Sequence, residues 1–335
     1  ECGGSEPNSE HPTVFRADET VTFVAVKRGM LLTHERECVG KITVAQIGIT
    51  DAEHAALLQK EQLIDEEFVR SLLPKRKLVS NKGTFGKAAI AAGSPGMGGA
   101  AVMAASAALR TGAGLTKAFV PRDIMHMFAS RPEIMAVADD NIQGLVQWAT
   151  AFGIGCGSGG DASIKQKLRA VLSCGKPAVI DADGLNNLDN ELKKLLSLRH
   201  VLTPHPGEMA RLTGKSIEDV LRDPAGFAEN TAKAFGCIVL LKGAVSVAAH
   251  PDGRLRYNAS GNPGLAKGGS GDVLTGIITA LLAQGLEPFD AASAGAYILG
   301  SSAESALELL HERALTAGDV LDAIEKTAGI TEHRN

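Results

Sequence analysis

Residues 88–101 read AAIAAGSPGMGGAA, which is a short apolar run, a glycine-rich turn and a series of small residues. The run is typical of a buried strand, and the small residues behind the turn predict a helix over 98–111. The alternation recurs, with strand candidates at 115–120, 149–155, 177–182, 200–204, 237–243 and 245–249 and helices at 162–173 and 191–197. Strands that alternate with helices predict an α/β fold with a largely parallel sheet.

Polar residues and glycines cluster where these predicted strands end. Glycines follow one strand in FGIGCGSGGD (152–161), and Asp181 and Asp183 follow the next. A role as a helix cap is the local explanation for either aspartate. His205 stands between two prolines, which fix the path of the backbone and therefore the direction of the ring. Because the carboxyl ends of parallel strands meet at one edge of the sheet, these clusters together predict a ligand site there.

The stretch NPGLAKGGSGDVLTG (262–276) is rich in glycine and leads into an apolar run with helical spacing. Free backbone N–H groups and the helix dipole make such a helix start an anion site. Taken alone, the stretch is better explained as a turn with Asp272 as the helix cap. Beside the other clusters it predicts a phosphate site, with Asp272 facing the reacting group. The anion hole then comprises Gly268, Gly269, Ser270 and Gly271.

The stretch IVLLKGAVSV (238–247) predicts a hairpin, because Lys242 and Gly243 separate two apolar strands. A lysine at such a turn is commonly a solvated side chain. Here Lys242 directly follows four aliphatic residues, which favours a cation that emerges from a core strand near the rim of the sheet.

The composition excludes several classes of partner. The 335 residues are 44% hydrophobic but only 4% aromatic, which predicts an aliphatic core. A net charge of −4 without a basic run argues against a nucleic-acid partner. No apolar segment reaches the ~18 residues that span a bilayer, so no membrane partner is expected. Five scattered cysteines without a CxxC pair indicate reduced thiols in a cytoplasmic protein, and neither disulfides nor a zinc site.

The first part of the chain has a different pattern. Residues 1–12 are polar and predict disorder, and a start at Glu1 without Met or a signal-peptide pattern indicates a cut end. Residues 13–50 contain two short strands with no obvious helix between them. Residues 51–77 are charged and predict a helical connector that ends at Pro74.

Five motifs now carry a resemblance. They are KGTFGKAAIAAGSPGMGGAA (82–101), DADGLNNL (181–188), TPHPGE (203–208), LLKGAVSV (240–247) and NPGLAKGGSGD (262–272). In this order they resemble the ADP/ATP-dependent NAD(P)H-hydrate dehydratase family, from about Asp65 to Ile324. Members of that family have a ribokinase-like fold, so the resemblance implies a three-layer α/β/α sandwich with a mostly parallel central sheet.

Residues 13–50 are similar to the last part of an NAD(P)H-hydrate epimerase domain, which precedes the dehydratase in bifunctional members. The resemblance implies four parts. They are an epimerase remnant at 1–50, a linker at 51–64, the dehydratase domain at 65–328 and a tail at 329–335. Because the catalytic and cation-binding portions of the epimerase belong upstream of the remnant, no epimerase activity is expected from this chain.

The resemblance also implies roles for individual residues. The segment that lines the adenine nucleotide corresponds to Lys242, Gly243, Ala244, Val245 and Ser246, and Gly271 corresponds to a glycine that contacts its phosphate. The residues implied to contact the hydrated nicotinamide are Ala100, Gly157, His205 and Asp272, with Asp272 at the hydroxyl.

This chain departs from the family pattern at three places. It has Asn81-Lys82-Gly83 where the family often has His-Lys-Gly, and Gly155-Cys156-Gly157 where the family often has Gly-Pro-Gly. Loss of that proline leaves the loop less rigid, which makes the position of Gly157 the least secure of the implied contacts. Ser270 replaces a common threonine but keeps the hydroxyl, so the anion site should be preserved.

The implied reaction dehydrates the S-form of the hydrates NADHX and NADPHX to NADH and NADPH and converts ADP to AMP and phosphate. The C6 hydroxyl is phosphorylated, and the phosphate is then eliminated with help from the ring nitrogen. Asp272 acts as general base, and we expect the helix N-terminus to lower its pKa.

The resemblance further implies Mg²⁺ and a nucleotide co-substrate. No dedicated carboxylate cage is visible in the sequence, so the nucleotide and water are expected to hold the metal. ADP is expected in preference to ATP, because the chain is similar to the bacterial type. Family members are homotetramers or larger homo-oligomers.

The sequence gives less support to three other functions. A hydroxymethylpyrimidine or thiazole kinase of the ribokinase superfamily shares the anion hole and the acid, but would release a phosphorylated product. TPHPGE and the KGT–FG stretch favour the dehydratase. A non-catalytic nucleotide sensor has no need of Asp272. An NAD-dependent dehydrogenase is disfavoured, because no GxGxxG follows a first strand with an acid ~20 residues on.

Overall fold

The computed structural model describes residues 15–31, 33–48, 60–74, 76–160 and 162–328. The predictions for residues 1–12, for most of the linker and for the tail lie outside these residues. The strands are β1 (Glu19–Phe23), β2 (Lys41–Ala45), β3 (Glu61–Leu63), β4 (Lys87–Ala91), β5 (Leu115–Val120), β6 (Met135–Ala138), β7 (Ala151–Ile154), β8 (Ala178–Ile180), β9 (His200–Leu202), β10 (Ile238–Leu241), β11 (Ser246–Ala249) and β12 (Leu255–Asn258).

The helices are α1 (Thr33–Val39), α2 (Glu66–Leu72), α3 (Gly98–Arg110), α4 (Ile142–Trp148), α5 (Ala162–Ser173), α6 (Asp183–Asn186), α7 (Asn190–Lys193), α8 (Pro206–Thr213), α9 (Ile217–Arg222), α10 (Pro224–Phe235), α11 (Ser270–Ala283), α12 (Pro288–Ala306) and α13 (Ala317–Ala328). Short 3₁₀ helices lie at Arg28–Leu31, Arg122–Phe128 and Pro263–Leu265. The helix expected over 191–197 is only the single turn α7.

One sheet of ten strands has the order β3-β12-β11-β10-β9-β8-β7-β4-β5-β6. β11 runs antiparallel to both of its neighbours, and every other adjacent pair in this sheet is parallel. All the predicted strands are present, and β10 and β11 form the predicted hairpin. The strand order reverses between β4 and β7, and the crevice at the carboxyl ends of two such strands is where this architecture binds ligands.

The sheet separates two apolar layers, because successive side chains of a strand point to opposite faces. On β4, Ala88 and Ile90 face one core while Ala89 and Ala91 face the other. Helices α2, α3 and α11 to α13 cover the first face, and α4 to α10 cover the second. The predicted three-layer α/β/α sandwich is thereby confirmed. Among the described residues, no helix has the length and apolar character needed to cross a membrane.

Helices α3 and α11 approach each other closely behind the ligand edge of the sheet. A Cβ added at Gly276 of α11 would lie 2.1 Å from the carbonyl oxygen of Ala104 and 2.7 Å from the Cβ of Ala107, both in α3. The small alanine side chains of α3 therefore allow α3 and α11 to pack closely. This contact fixes the start of α11 relative to the sheet.

We expect Gly276→Ala to lower the free energy of unfolding by about 1–3 kcal/mol, because a methyl group has no room between two helix backbones. Thermal unfolding followed by circular dichroism measures the change. Gly99→Ala is the matched control, since a Cβ at this helical glycine meets nothing within 4 Å. An unchanged midpoint for Gly276→Ala would contradict the close packing of the two helices.

The N-terminal part forms a separate two-stranded sheet of β1 and β2. Both predicted strands are present, but the expectation of no helix between them was wrong. A 3₁₀ turn at Arg28–Leu31 and α1 connect them, and the two strands are parallel. A parallel pair needs a crossover connection, and the short charged α1 has little apolar periodicity to reveal it. Leu31 and Arg28 attach this part to the large domain, Leu31 in its core and Arg28 through Asp223 and Glu61.

The connector before the domain differs from the prediction in one element. Residues 61–63 are the edge strand β3, which pairs in parallel with β12, and within residues 60–74 the helix is confined to 66–72. Charge and helical spacing dominate the local sequence, whereas the strand exists because distant β12 offers an unpaired edge. The sheet thus includes residues of the predicted linker, while the division of the chain into four parts stays a prediction.

Candidate active site

The loops that follow β4 and β7 meet at the reversal of strand order. The backbone N–H of Gly93 donates to the carbonyl of Cys156 over 2.8 Å, and the Ser94 hydroxyl donates to the carbonyl of Gly157 over 2.9 Å. The predicted glycine clusters at residues 93–101 and 152–161 are therefore brought together.

Glycine is required twice in the second of these loops. Gly155 has φ +117°, and a Cβ there would lie 2.1 Å from the carbonyl oxygen of Asp181. Gly157 has φ +56°, and a Cβ there would lie 2.9 Å from the Cβ of Ala100. Ala100 and Gly157, predicted to contact the same substrate, thus lie side by side, although their role in binding stays a prediction.

The start of α11 has the open form expected of an anion site. Gly269 occupies the N-cap position with φ +99°, and no side chain caps the helix there. Gly268 is exposed with open space around it, and Ser270 is buried. Asp272 belongs to the first turn and does not cap the helix, so its interpretation as a cap was wrong. Its carboxylate is therefore not engaged in a capping hydrogen bond.

The environment of Asp272 contradicts the expected direction of its pKa. Burial is the largest influence and raises the pKa of Asp272 to about 6, and the negative charge of Asp181 adds to the increase. A hydrogen bond with the Cys156 thiol and the charge of Lys242 act in the opposite direction. The helix start was expected to lower this pKa, but loss of water around the carboxylate outweighs it. A base with a pKa near 6 is stronger than an ordinary aspartate and is still ionised at neutral pH.

We expect kcat/KM of any reaction that uses Asp272 as base to rise with pH through about 6 and to level off above it, because kcat/KM reports the ionisation of the free enzyme and only the ionised carboxylate accepts a proton. A profile from pH 5 to 8 measures this. Nucleotide phosphates also titrate in this range, so the residual activity of Asp272→Asn is the control, and it should lack this step. A step near pH 4 in the parent protein would contradict the buried environment of Asp272.

A buried ionic cluster lies beside Asp272. Lys242 Nζ is 2.7 Å from Asp181 Oδ1 and 3.9 Å from Glu208 Oε2, and the Thr275 hydroxyl donates to Asp181 Oδ2 over 3.0 Å. Burial alone would lower the pKa of Lys242, but the charges of Asp181 and Glu208 outweigh burial and raise it. Lys242 is thus the predicted cation at the rim of the sheet, and the alternative of a solvated turn lysine is excluded.

Neither aspartate of the DADGLNNL motif caps a helix with its side chain, so that interpretation was wrong. Ala182 occupies the N-cap position of α6. Asp181 bonds to Lys242 and Thr275, as described above, and Asp183 accepts a hydrogen bond of 2.8 Å from the backbone N–H of Gly159. Sequence reasoning assigned no site role to Glu208 or Thr275, although Glu208 belongs to the TPHPGE motif. The spacing of Glu208 three residues after His205, at the start of a helix, was the available signal for the first.

His205 lies at the ligand edge, as its flanking prolines predicted. Its Nδ1 accepts hydrogen bonds from the backbone N–H groups of Gly207 and Glu208, and the Glu208 carboxylate accepts one in return from the backbone N–H of His205. This capping box fixes the ring, of which 51% is exposed. Because Nδ1 is an acceptor, the neutral ring carries its proton on Nε2 and can donate to a ligand.

The hairpin after β10 places its predicted nucleotide residues in different surroundings. Gly243 and Ala244 are exposed, Val245 is buried, and Ser246 is half-buried with its hydroxyl 3.4 Å from the Gly243 carbonyl oxygen. A Cβ at Gly271 would lie 3.5 Å from Lys242 Nζ, so the hairpin and the anion hole meet at the lysine.

In the part of the chain that the structure describes, no group of three or more His, Cys, Asp or Glu side chains could hold a metal ion. The carboxylates of Asp181 and Glu208 face the ammonium of Lys242. The residues present therefore do not form a metal site of their own.

The comparisons with known proteins agree with the family resemblance of the sequence motifs. The family model described as NAD(P)H-hydrate dehydratase matches residues 88–326. The ADP-dependent (S)-NAD(P)H-hydrate dehydratase of Neisseria meningitidis is 41% identical over 253 residues, which cover 73% of this chain and 85% of that protein. The bifunctional NAD(P)H-hydrate repair enzyme Nnr of Moorella thermoacetica is 39% identical over 325 residues, 92% of this chain and 61% of that protein.

The chain spans between 61% and 64% of the length of four such bifunctional relatives. Among solved structures, the ADP/ATP-dependent NAD(P)H-hydrate dehydratase of Bacillus subtilis, co-crystallized with ATP and Mg²⁺, aligns with a TM-score of 0.73 at 30% identity. That alignment covers 81% of this chain and 99% of the other.

Proposed function

This chain belongs to the NAD(P)H-hydrate dehydratase family, and we propose that it repairs damaged nicotinamide nucleotides. It dehydrates the S-forms of NADHX and NADPHX to NADH and NADPH and converts ADP to AMP and phosphate. The observation that carries the proposal is the half-buried carboxylate of Asp272 in the first turn of α11, at an uncapped helix start and beside Lys242. The large domain has the ribokinase-like fold of its structural relatives.

Phosphoryl transfer requires stabilisation of the negative charge on the group in transfer. The backbone N–H groups from Gly268 to Gly271 and the dipole of α11 supply fixed positive potential at the open helix start. Asp272 takes the proton of the C6 hydroxyl while that oxygen bonds to the β-phosphorus of ADP, and AMP leaves. Because the transition state of phosphoryl transfer is loose, the base need not act early.

The second step removes the phosphate. The lone pair of the ring nitrogen assists as the C6–O bond breaks, and phosphate leaves with the bonding electrons. C5 then loses a proton to the departing phosphate, which gives the C5–C6 double bond. The anion hole that received the phosphoryl group is again the place for the departing phosphate. One site can therefore serve both steps.

The substrate ring is proposed to lie against the paired Ala100 and Gly157, with His205 at its far side. Ala100 and Gly157 lie in contact at the switch in strand order. The Nε2–H of His205, which is 3.6 Å from Glu208 Oε1, can donate to a substrate oxygen. The adenine nucleotide is proposed to lie along residues 242–246, with its phosphates toward Gly271.

Mg²⁺ is proposed to arrive with the nucleotide, and the Bacillus subtilis relative was co-crystallized with ATP and Mg²⁺. Bound Mg²⁺ neutralises phosphate charge. ADP is proposed as the donor, in keeping with the Neisseria meningitidis relative.

A cytoplasmic location and assembly into a homotetramer or larger complex complete the proposal. The free thiols of Cys38, Cys156, Cys174 and Cys237 support a reducing compartment. Epimerase activity is not part of the proposal.

The decisive experiment mixes the purified chain with hydrated NADH, Mg²⁺ and either ADP or ATP, and follows the return of reduced-nicotinamide absorbance at a fixed pH of 7.5. Recovery that depends on one nucleotide supports the dehydratase and identifies the phosphate donor. A folded protein that binds ADP but restores no absorbance with either nucleotide would refute the proposal. Hydroxymethylpyrimidine and thiazole alcohols would then be tested as kinase substrates.

A further inference from the structure

Lys242 is enclosed by acidic side chains at a depth where charge is rarely placed. Asp181 is 1% exposed and Glu208 is 5% exposed, and both face the ammonium. A buried charge is costly to remove from water, and a hydrophobic pair of similar volume is commonly as stable. Stability alone therefore gives no reason to place three charged groups here, which suggests that the charge of Lys242 serves the site.

Lys242, Asp181 and Glu208 form the lysine cluster. Each of them makes a further hydrogen bond to a residue outside the cluster. The Thr275 hydroxyl on α11 donates to Asp181, and the backbone N–H of His205 donates to Glu208 over 2.8 Å. The backbone N–H of Lys242 donates to the carbonyl of Pro204 over 2.8 Å, which ties the end of β10 to the end of β9. The ammonium is therefore fixed from three elements of the fold.

The open side of the cluster faces the anion hole. A Cβ placed on Gly271 would lie 3.5 Å from Lys242 Nζ and 3.4 Å from Asp181 Oδ2, so the ammonium lies directly against the first turn of α11. No cluster of metal-ligating side chains competes for this place in the described residues. Lys242 thus supplies a side-chain cation at the helix start.

We propose that Asp181 and Glu208 are positioning residues, which hold the Lys242 ammonium against the anion hole so that it contacts the phosphoryl group in transfer. This inference rests on the proposed function. Asp181 and Glu208 touch neither substrate nor nucleotide in it and act only through Lys242. A fixed cation at this point stabilises charge in the transition state without reorganisation.

Asp181→Asn tests the proposal. The acidic groups that influence Lys242 come from three further elements: Glu208 on α8, Cys156 after β7, and Asp272 on α11. With Asp181 neutral, burial weighs more heavily against the ammonium, so the pKa of Lys242 should fall. We expect kcat to fall about 10-fold at pH 7.5 and to fall further as pH rises, a decline absent from the parent protein.

The second measurement needs no turnover. Acetylation of Lys242 by acetic anhydride across pH 7 to 11, read by mass spectrometry, reports the protonation of its amine. In Asp181→Asn the onset of labelling should move at least about one pH unit lower. Asp189→Asn, a surface carboxylate at the start of α7 paired with Lys165, is the control and should change neither readout.

Unchanged labelling and an unchanged pH profile in Asp181→Asn would overturn the proposal. If that variant does not fold, Thr275→Val removes one hydrogen bond of Asp181 and leaves all charges in place, and it should shift the labelling in the same direction by less. If the parent protein shows no turnover, the proposed function fails while the labelling still decides whether Asp181 controls Lys242.

Discussion

Replacement of Asp272 by asparagine is expected to lower kcat at least ~100-fold, which is the usual contribution of a general base. Asparagine keeps the shape and cannot accept the proton of the substrate hydroxyl. The loss of rate should exceed the loss expected for an exposed aspartate at this position. Burial raises the pKa of Asp272 to about 6 and makes it a stronger base than an exposed aspartate. Initial rates with hydrated NADH and saturating nucleotide measure the change.

Two controls separate chemistry from binding and folding. ADP affinity by calorimetry should change less than about threefold, since the anion hole is built from backbone and Asp272 is assigned to the hydroxyl. The thermal midpoint should not fall, because a buried carboxylate with a raised pKa is replaced by a neutral group. Turnover near the parent value would remove Asp272 from the mechanism.

Gly155→Ala has the largest expected effect on folding. The residue has φ +117°, and its Cβ would lie 2.1 Å from the carbonyl oxygen of Asp181 and 2.5 Å from the backbone nitrogen of Gly184. Strain at a positive φ and overlap with two backbone atoms together should lower the free energy of unfolding by about 3–4 kcal/mol. Urea unfolding followed by fluorescence and circular dichroism measures the difference.

Gly214→Ala separates the two causes. Gly214 ends α8 with φ +68°, but a Cβ there meets nothing within 4 Å, so only the backbone strain remains, at about 1 kcal/mol. Equal losses for the two variants would mean that the overlap at Gly155 relaxes freely. That result would contradict the close approach of the loops after β7 and β8.

Local periodicity was sufficient for most of the large domain. The strand at 115–120 and the helix at 162–173 were predicted to the residue, because their patterns are long and bounded by turn residues. The hairpin at Lys242 followed from two apolar runs and a short turn. The glycines before Asp272 predicted an open helix start for the same local reason.

The site features that could not be predicted from the sequence depend on contacts between residues that lie far apart along the chain. Asp181 meets Lys242 across 61 positions, so a local explanation such as a helix cap was the available one. The raised pKa of Asp272 follows from burial by neighbouring elements, which no spacing within residues 262–276 encodes. The family resemblance supplied roles for single residues, but it gave no partner for Asp181 or Glu208.

The short strand β3 limits where the chain can be truncated before the large domain. Glu61, Gln62 and Leu63 cover the outer edge of β12, and the Tyr257 hydroxyl donates to Glu61. A chain trimmed to begin at Asp65 would leave the backbone groups of β12 unpaired, which is the surface through which sheets of separate molecules join. Three residues of an apparent linker thus pair the edge of β12, and their removal is expected to favour association through the sheet.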